Sequence, residues 1–280
     1  MPYLANHFLR GVGTYCIDQT AMTADCQDKI VLFGDSLTQM SWDPEYGGIG
    51  ARLANLYARK LDVLNRGFSG YNTDWALPVW EQIITKRGEV QPHTPRVRLL
   101  TIWFGANDAC LPGFTQHVPL SRFSENLATM VRAIRAPESQ WYSPETRVLL
   151  ITPPPIHVPS MGVDMQPTRT FDVTKAYAQE VKKVGEAENV PVVDIWTGIW
   201  EAAGKSKEAV KGFLTDGLHL GKAGYEVVFA ALEEAISQHY PEIYHENLQS
   251  IFPLWEYFHS HTLEEFKAGN WLDGRGRIEQ

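Results

Sequence analysis

Cysteine is scarce: Cys16, Cys26 and Cys110 are all the chain holds in 280 residues. Three scattered thiols are too few for a disulfide framework and have the wrong spacing for a zinc site. The economical reading is reduced thiols in an intracellular, cytoplasmic protein, with a Cys16–Cys26 pair left open. No basic stripe is present, and the formal net charge is −8. A phosphate-backbone binder would need such a stripe to displace counterions, so nucleic acid is not an expected partner. No apolar run reaches the ~18 residues of a membrane-spanning helix. Residues 1–28 lack the continuous apolar core of a secretory signal and read as an N-terminal extension lying on the surface. There is no low-complexity run, and 44% hydrophobic composition supports a real core.

What is present is a regular alternation from Lys29 onward. Short apolar runs occur at KIVLFG (29–34), LDVLNR (61–66), VRLLTIWFG (97–105), RVLLITP (147–153) and VPVVDI (190–195). Near-continuous Val, Ile and Leu are what strands covered on both faces require. Helical periodicity fills the gaps at 46–60, 75–87, 120–135, 171–188 and 222–239. In the fourth of these, Val173, Tyr177, Val181 and Val184 form one stripe. Five such strands predict an α/β fold with a mostly parallel, flavodoxin-like sheet, because right-handed crossovers lay helices on both faces. Residues 29–240 read as one domain. Residues 241–280, with Trp255, Tyr257, Phe258 and Trp271 among charges, read as a tail packed on it.

In such a sheet, chemistry sits at the C-terminal strand ends. Gly34-Asp35-Ser36-Leu37 follows the first strand, Asn65-Arg66-Gly67-Phe68-Ser69-Gly70 the second, and Gly105-Ala106-Asn107-Asp108 the third. Asp216-Gly217-Leu218-His219 comes just before the last amphipathic helix. A serine hydroxyl needs an adjacent base to become nucleophilic, and histidine accepts and returns protons near neutral pH. The histidine in turn needs a carboxylate to hold its tautomer. Ser36, His219 and Asp216 have the chemistry for these three roles. Backbone N–H groups of Ser36 and Gly70 and the Asn107 amide are candidate donors to an oxyanion.

These four blocks, in order and spacing, resemble the SGNH (GDSL) hydrolases. LFGDSLT, RGFSGYNTDWAL, GANDAC and TDGLHL are similar to the isoamyl-acetate-hydrolysing esterase group. The resemblance covers about 29–240 and implies a three-layer α/β/α sandwich, with Ser36, Gly70, Asn107 and His219 as the name-giving residues. It implies Gly70 and Asn107 in an oxyanion hole, no metal and no organic cofactor. The expected activity is hydrolysis of small acetate or short-chain acyl esters through an acyl-enzyme. A small-molecule ester is the expected partner, and a homodimer is possible. A thioesterase, a lysophospholipase or a carbohydrate deacetylase would use the same triad, and a non-catalytic binding module could use the same scaffold.

Other residues have plainer readings. Asp35 and Asp108 are expected to bond loop backbone. His117, His157, His245, His259 and His261 are expected on the surface or tail. Trp42, Trp75 and Phe104 flank the blocks and are candidates for lining an apolar substrate pocket, against the alternative that they are core. Gly48-Ile49-Gly50 lacks a third glycine for a dinucleotide loop and reads as a helix start that permits close packing. Pro153-Pro154-Pro155 is expected to stiffen the rim of the site.

Overall fold

Side-chain parity along the strands organises the molecule. In the first strand, β1 (Lys29–Gly34), Ile30 and Leu32 enter one hydrophobic cluster while Val31 and Phe33 enter another. This is the two-residue period of a strand buried on both faces. A computed structural model of the chain describes residues 27–91 and 94–267. Most of the expected N-terminal extension, including Cys16 and Cys26, lies outside the described residues, as does Trp271.

The elements follow in order: α1 (Ser36–Gln39), α2 (Ile49–Leu56), β2 (Asp62–Gly67), α3 (Thr73–Ile83), β3 (Val97–Trp103), α4 (Leu120–Arg135), β4 (Arg147–Ile151), α5 (Phe171–Ala187), β5 (Val192–Val193), α6 (Ile195–Ala202), α7 (Lys222–His239) and α8 (Leu263–Lys267). The five strands are parallel, in the order β2-β1-β3-β4-β5. That is the flavodoxin-like arrangement expected from the sequence. One face of the sheet packs on α2, α6 and α7 through Ile49, Leu53, Ile199, Val228 and Leu232. The other packs on α3, α4 and α5 through Trp80, Phe123, Leu127, Tyr177 and Val181. The result is a three-layer α/β/α sandwich. Each fully buried Leu or Val contributes about 1.5–3 kcal/mol relative to exposure, so the two faces together drive the fold.

The sequence reading departs from the structure at its edges. β2 is a sheet edge and only half-buried, and it runs one residue later than expected. The expected strand 190–195 shrinks to Val192–Val193. Asp194 ends it by capping α6, accepting from Thr197 N at 3.1 Å, so IWTGIWEA is a helix that the apolar run concealed. α3 starts two residues earlier than expected because Asn72 caps it, accepting from Trp75 N at 3.0 Å. α2 is shorter than 46–60, since residues 44–47 form a turn that ends at the Gly48 cap and residues 57–60 form another after Leu56. A Cβ on Gly50 would fall 2.0 Å from the Trp42 ring, which is the close packing that Gly48-Ile49-Gly50 permits.

The start of the tail is strapped to the α2–β2 connection. Ile243 is buried, and Tyr57 Oη donates to its carbonyl at 3.0 Å. Lys60 Nζ donates to His245 O, Ile251 N to Arg59 O (2.7 Å), and Arg59 to the Phe252 and Pro253 carbonyls. Beyond that, Leu254, Trp255, Phe258 and Leu263 are exposed. Among the described residues, no helix is long and apolar enough to cross a membrane.

Candidate active site

The strand order decides which turns meet. β1 lies between β2 and β3, so the turns leaving β2 and β3 flank the turn that carries Ser36. Asp35 caps the short α1, its Oδ1 accepting from Leu37 N at 2.9 Å. Ser36 opens that helix at 4% exposure. Tyr225 of α7 donates to Leu37 O at 2.8 Å, pinning the turn from the opposite side.

The Asp216–His219 loop brings its histidine to Ser36 across 183 positions of sequence. Asp216 Oδ1 accepts from Leu218 N (3.0 Å) and His219 N (2.8 Å), which coils the loop around the carboxylate. Thr215 N donates to His219 O at 2.8 Å, and a Leu214–Leu220 bridge closes the base. His219 Nδ1 lies 2.7 Å from Asp216 Oδ2, and His219 Nε2 lies 2.9 Å from Ser36 Oγ. Burial pushes the Asp216 carboxyl up, but the bonds from the His219 ring and from the His219 and Leu218 N–H groups outweigh it, so its pKa lies below the ordinary value. An ionised carboxylate only accepts, so His219 carries its proton on Nδ1 and leaves Nε2 to accept from the serine hydroxyl.

The chain entering from β4 buttresses that loop. Gly217 has φ of +85°, and a Cβ there would lie 2.4 Å from His157 O. His157 N donates to Gly217 O at 2.8 Å. The His157 ring contacts Ser160 Oγ at 2.7 Å and Glu208 Oε2 at 3.1 Å. His157 is buried, contrary to the surface position expected of it, with its ring nitrogens satisfied by Ser160 and Glu208 and its backbone against the loop. Pro153, Pro154 and Pro155 are buried along the same approach.

On the other side, the Asn107 amide sits in a polar network. Its Nδ2 donates to Tyr71 O at 2.9 Å, and its Oδ1 accepts from Arg169 at 2.9 Å and from Gln116 Nε2 at 3.2 Å. Gln116 Nε2 also donates to Gly70 O at 2.7 Å, so one side chain bridges Gly70 and Asn107. Asp108 Oδ1 accepts from Thr73 N (2.8 Å) and Thr73 Oγ1 (2.5 Å), locking the β3 exit turn to the start of α3. Burial pushes the carboxyl of Asp35 up to about 7 and that of Asp108 up to about 6, against the bonds each accepts. The second oxygen of each is buried with no hydrogen-bond partner among the described residues.

The candidate pocket residues fare differently. Phe104 is 1% exposed and packs edge-on against Phe33 at 5.0 Å, so it is core and offers no surface to a substrate. Its position right after β3 leaves it inside the layer that α3 and α4 cover. Trp42 is partly buried against the other layer. Trp75 is 38% exposed and stands edge-on to Tyr71 at 6.0 Å. Gln116, Arg169 and His157 escaped the sequence reading as site residues, since each lies in an irregular segment with no fixed spacing to the four blocks. Among the described residues, no three His, Cys, Asp or Glu side chains converge as metal ligands would.

Comparison with known proteins decides the family. Residues 32–227 match the GDSL-like lipase/acylhydrolase family. The chain belongs to that family. A GDSL esterase/lipase of Arabidopsis thaliana is 38% identical over 221 residues, covering 75% of this chain and 86% of that protein. An isoamyl acetate-hydrolyzing esterase 1 homolog of Bos taurus is 36% identical over 234 residues, covering 81% and 86%. Among solved structures, the lipase/acylhydrolase from Enterococcus faecalis aligns with a TM-score of 0.53 at 30% identity, covering 75% of this chain and 95% of that one. This GDSL-family chain is a serine esterase.

Proposed function

We propose that the protein hydrolyses small acetate or short-chain acyl esters through an acyl-enzyme on Ser36. The observation that carries this reading is the continuous relay Ser36 Oγ–His219 Nε2 (2.9 Å) and His219 Nδ1–Asp216 Oδ2 (2.7 Å). His219 takes the Ser36 proton as Oγ attacks the ester carbonyl, and Asp216 stabilises the imidazolium that forms. The tetrahedral oxyanion is held by the N–H groups of Ser36 and Gly70 and by Asn107 Nδ2. His219 then returns the proton to the departing alcohol. Water, deprotonated by the same histidine, releases the acid and regenerates Ser36 Oγ–H.

The choice of small esters rests on relatives at 36% identity named for isoamyl acetate hydrolysis. A cytoplasmic location belongs to the same reading, and the buried thiol of Cys110, free among the described residues, fits a reducing compartment. The test is p-nitrophenyl acetate hydrolysis by wild type and Ser36→Ala, followed by a chain-length series of p-nitrophenyl esters. Ser36→Ala should lower kcat by about 10⁴-fold or more while keeping the wild-type melting temperature. Equal activity in the two proteins would remove Ser36 as nucleophile. A rate that rises with acyl length beyond about eight carbons would remove the short-chain assignment and favour a lipid ester.

A further inference from the structure

Arg169 is a guanidinium with 2% exposure, and among the described residues none of its hydrogen-bond acceptors is a carboxylate. Nε donates to Ala106 O (2.9 Å) and one terminal nitrogen to Thr168 Oγ1 (2.9 Å). The other donates to Asn107 Oδ1 (2.9 Å) and Gln116 Oε1 (3.2 Å). Burying a cation in this way is unfavourable: burial lowers the Arg169 pKa, and the attraction of Cys110 and Asp35 opposes that only in part. Such an arrangement calls for a role that the packing alone does not supply.

The role follows from what each group can do. A guanidinium only donates, so the Asn107 atom facing Arg169 is necessarily the amide oxygen. Gln116 places its own amide the same way: Oε1 accepts from Arg169, so Nε2 is left to donate to Asn107 Oδ1 and Gly70 O. Asn107 Nδ2 is thereby turned away from the arginine. One of its hydrogens goes to Tyr71 O, and the second is left for an acceptor outside the network. Without these donors the bond to Tyr71 O alone opposes a half-turn of the amide, after which Oδ1 would face a developing oxyanion.

We infer that Arg169 and Gln116 are positioning residues that set the orientation of the Asn107 amide and tie it to Gly70, pre-aligning the oxyanion donors before substrate arrives. This rests on the ester-hydrolase reading above and extends it to two side chains outside the four sequence blocks. Donors fixed in advance need no reorganisation during reaction, which is where their catalytic value comes from. Lysine cannot replace the arginine here, because one ammonium does not reproduce a planar fork reaching Ala106 O and Asn107 Oδ1 together.

The test is a mutant cycle on p-nitrophenyl acetate: Gln116→Leu, Arg169→Lys and Arg169→Met, each alone and combined with Asn107→Ala, with Ser36→Ala alongside. Losing a positioned donor costs at most what losing the donor costs, roughly 10²–10³ for Asn107→Ala. The expected losses in kcat are about tenfold for Gln116→Leu and roughly ten- to a hundredfold for Arg169→Met, with KM within about threefold of wild type. Arg169→Lys should recover less than half of the loss on a logarithmic scale. On the Asn107→Ala background neither Gln116→Leu nor Arg169→Met should lower kcat further, because the group they orient is gone. Wild-type kcat in the single variants, or losses that multiply fully with Asn107→Ala, would overturn the inference. Should Arg169→Met fail to fold, the half-buried Gln116 and its own cycle decide between the two outcomes. An active Ser36→Ala would overturn the ester-hydrolase reading itself. An inactive Ser36→Ala beside unaffected Arg169 and Gln116 variants would overturn only the positioning role.

Discussion

The Ser36 turn and the His219 loop meet across a 2.9 Å contact yet are held by different means. Residues 34–38 are buried throughout, with Asp35 at the bottom of the turn and Tyr225 above it. In the loop, the Asp216 side chain is 53% exposed and that of His219 20% exposed, and the order comes from bonds to the loop's own backbone and from the His157 segment against Gly217. Ser36 is therefore placed by the core, so changes beneath it act on folding as well as on rate. His219 is placed by short-range bonds and the His157 contact close to the surface, so changes there act chiefly on rate. The two kinds of support suit the two proposed duties: a nucleophile that stays in place, and a base that exchanges protons with incoming water.

The comparison is broken most directly at Asp216. Asp216→Asn keeps an oxygen for the Leu218 and His219 N–H groups but offers the ring an N–H donor. Nδ1 must then accept, the ring proton moves to Nε2, and the base can no longer take the serine proton. The expected loss is about 10³–10⁴ in kcat. Thermal melting should shift little, and a large drop in melting temperature would show that the loop carries fold stability after all.

Gly217→Ala probes the buttress. Its Cβ would run into the His157 carbonyl in a backbone region that costs a side chain about 1–3 kcal/mol. The loop must shift, and kcat should fall by roughly tenfold or more, since small misplacements near the chemistry have large effects on rate. An unchanged kcat would mean that the His157 segment yields and does not brace the loop.

The smallest effect is expected at Asp35. Its folded pKa of about 7 stands above the unfolded value, so the protonated carboxyl favours folding at low pH and that contribution is lost as pH rises toward and through 7. Asp35→Asn retains an acceptor for Leu37 N and removes the titration. Its melting temperature relative to wild type should therefore improve by a few degrees between about pH 5 and pH 8. A constant difference across that range would show that Asp35 is ionised throughout and is compensated in some other way.

How far these features can be read from the residues differs by element. β1 and α4 have the bounds that their apolar periodicity implies, because burial on one or two faces writes itself into alternate or every third and fourth position. α6 cannot be read that way, since an apolar helix following an apolar strand has no period to mark the change. The Asp194 cap is the available signal. Phe104 meets a related limit: residues next to a motif block can point into the site or into the core, and adjacency in sequence does not say which. Arg169 and His157 leave no trace at all, being lone polar residues in irregular segments whose partners are far along the chain.

Local chemistry and periodicity are thus set by the amino-acid order: a serine at a strand end, a histidine three residues from a carboxylate, five strands covered by helices. These depend on neighbours within a few positions, where covalent connection already limits the geometry. The contact between Ser36 and His219, the bridge of Gln116 from Gly70 to Asn107, and the burial of Arg169 against Asn107 come from packing. They rest on the order β2-β1-β3-β4-β5 and on distances between segments tens to hundreds of residues apart, which burial and hydrogen-bond satisfaction determine jointly once the layers close.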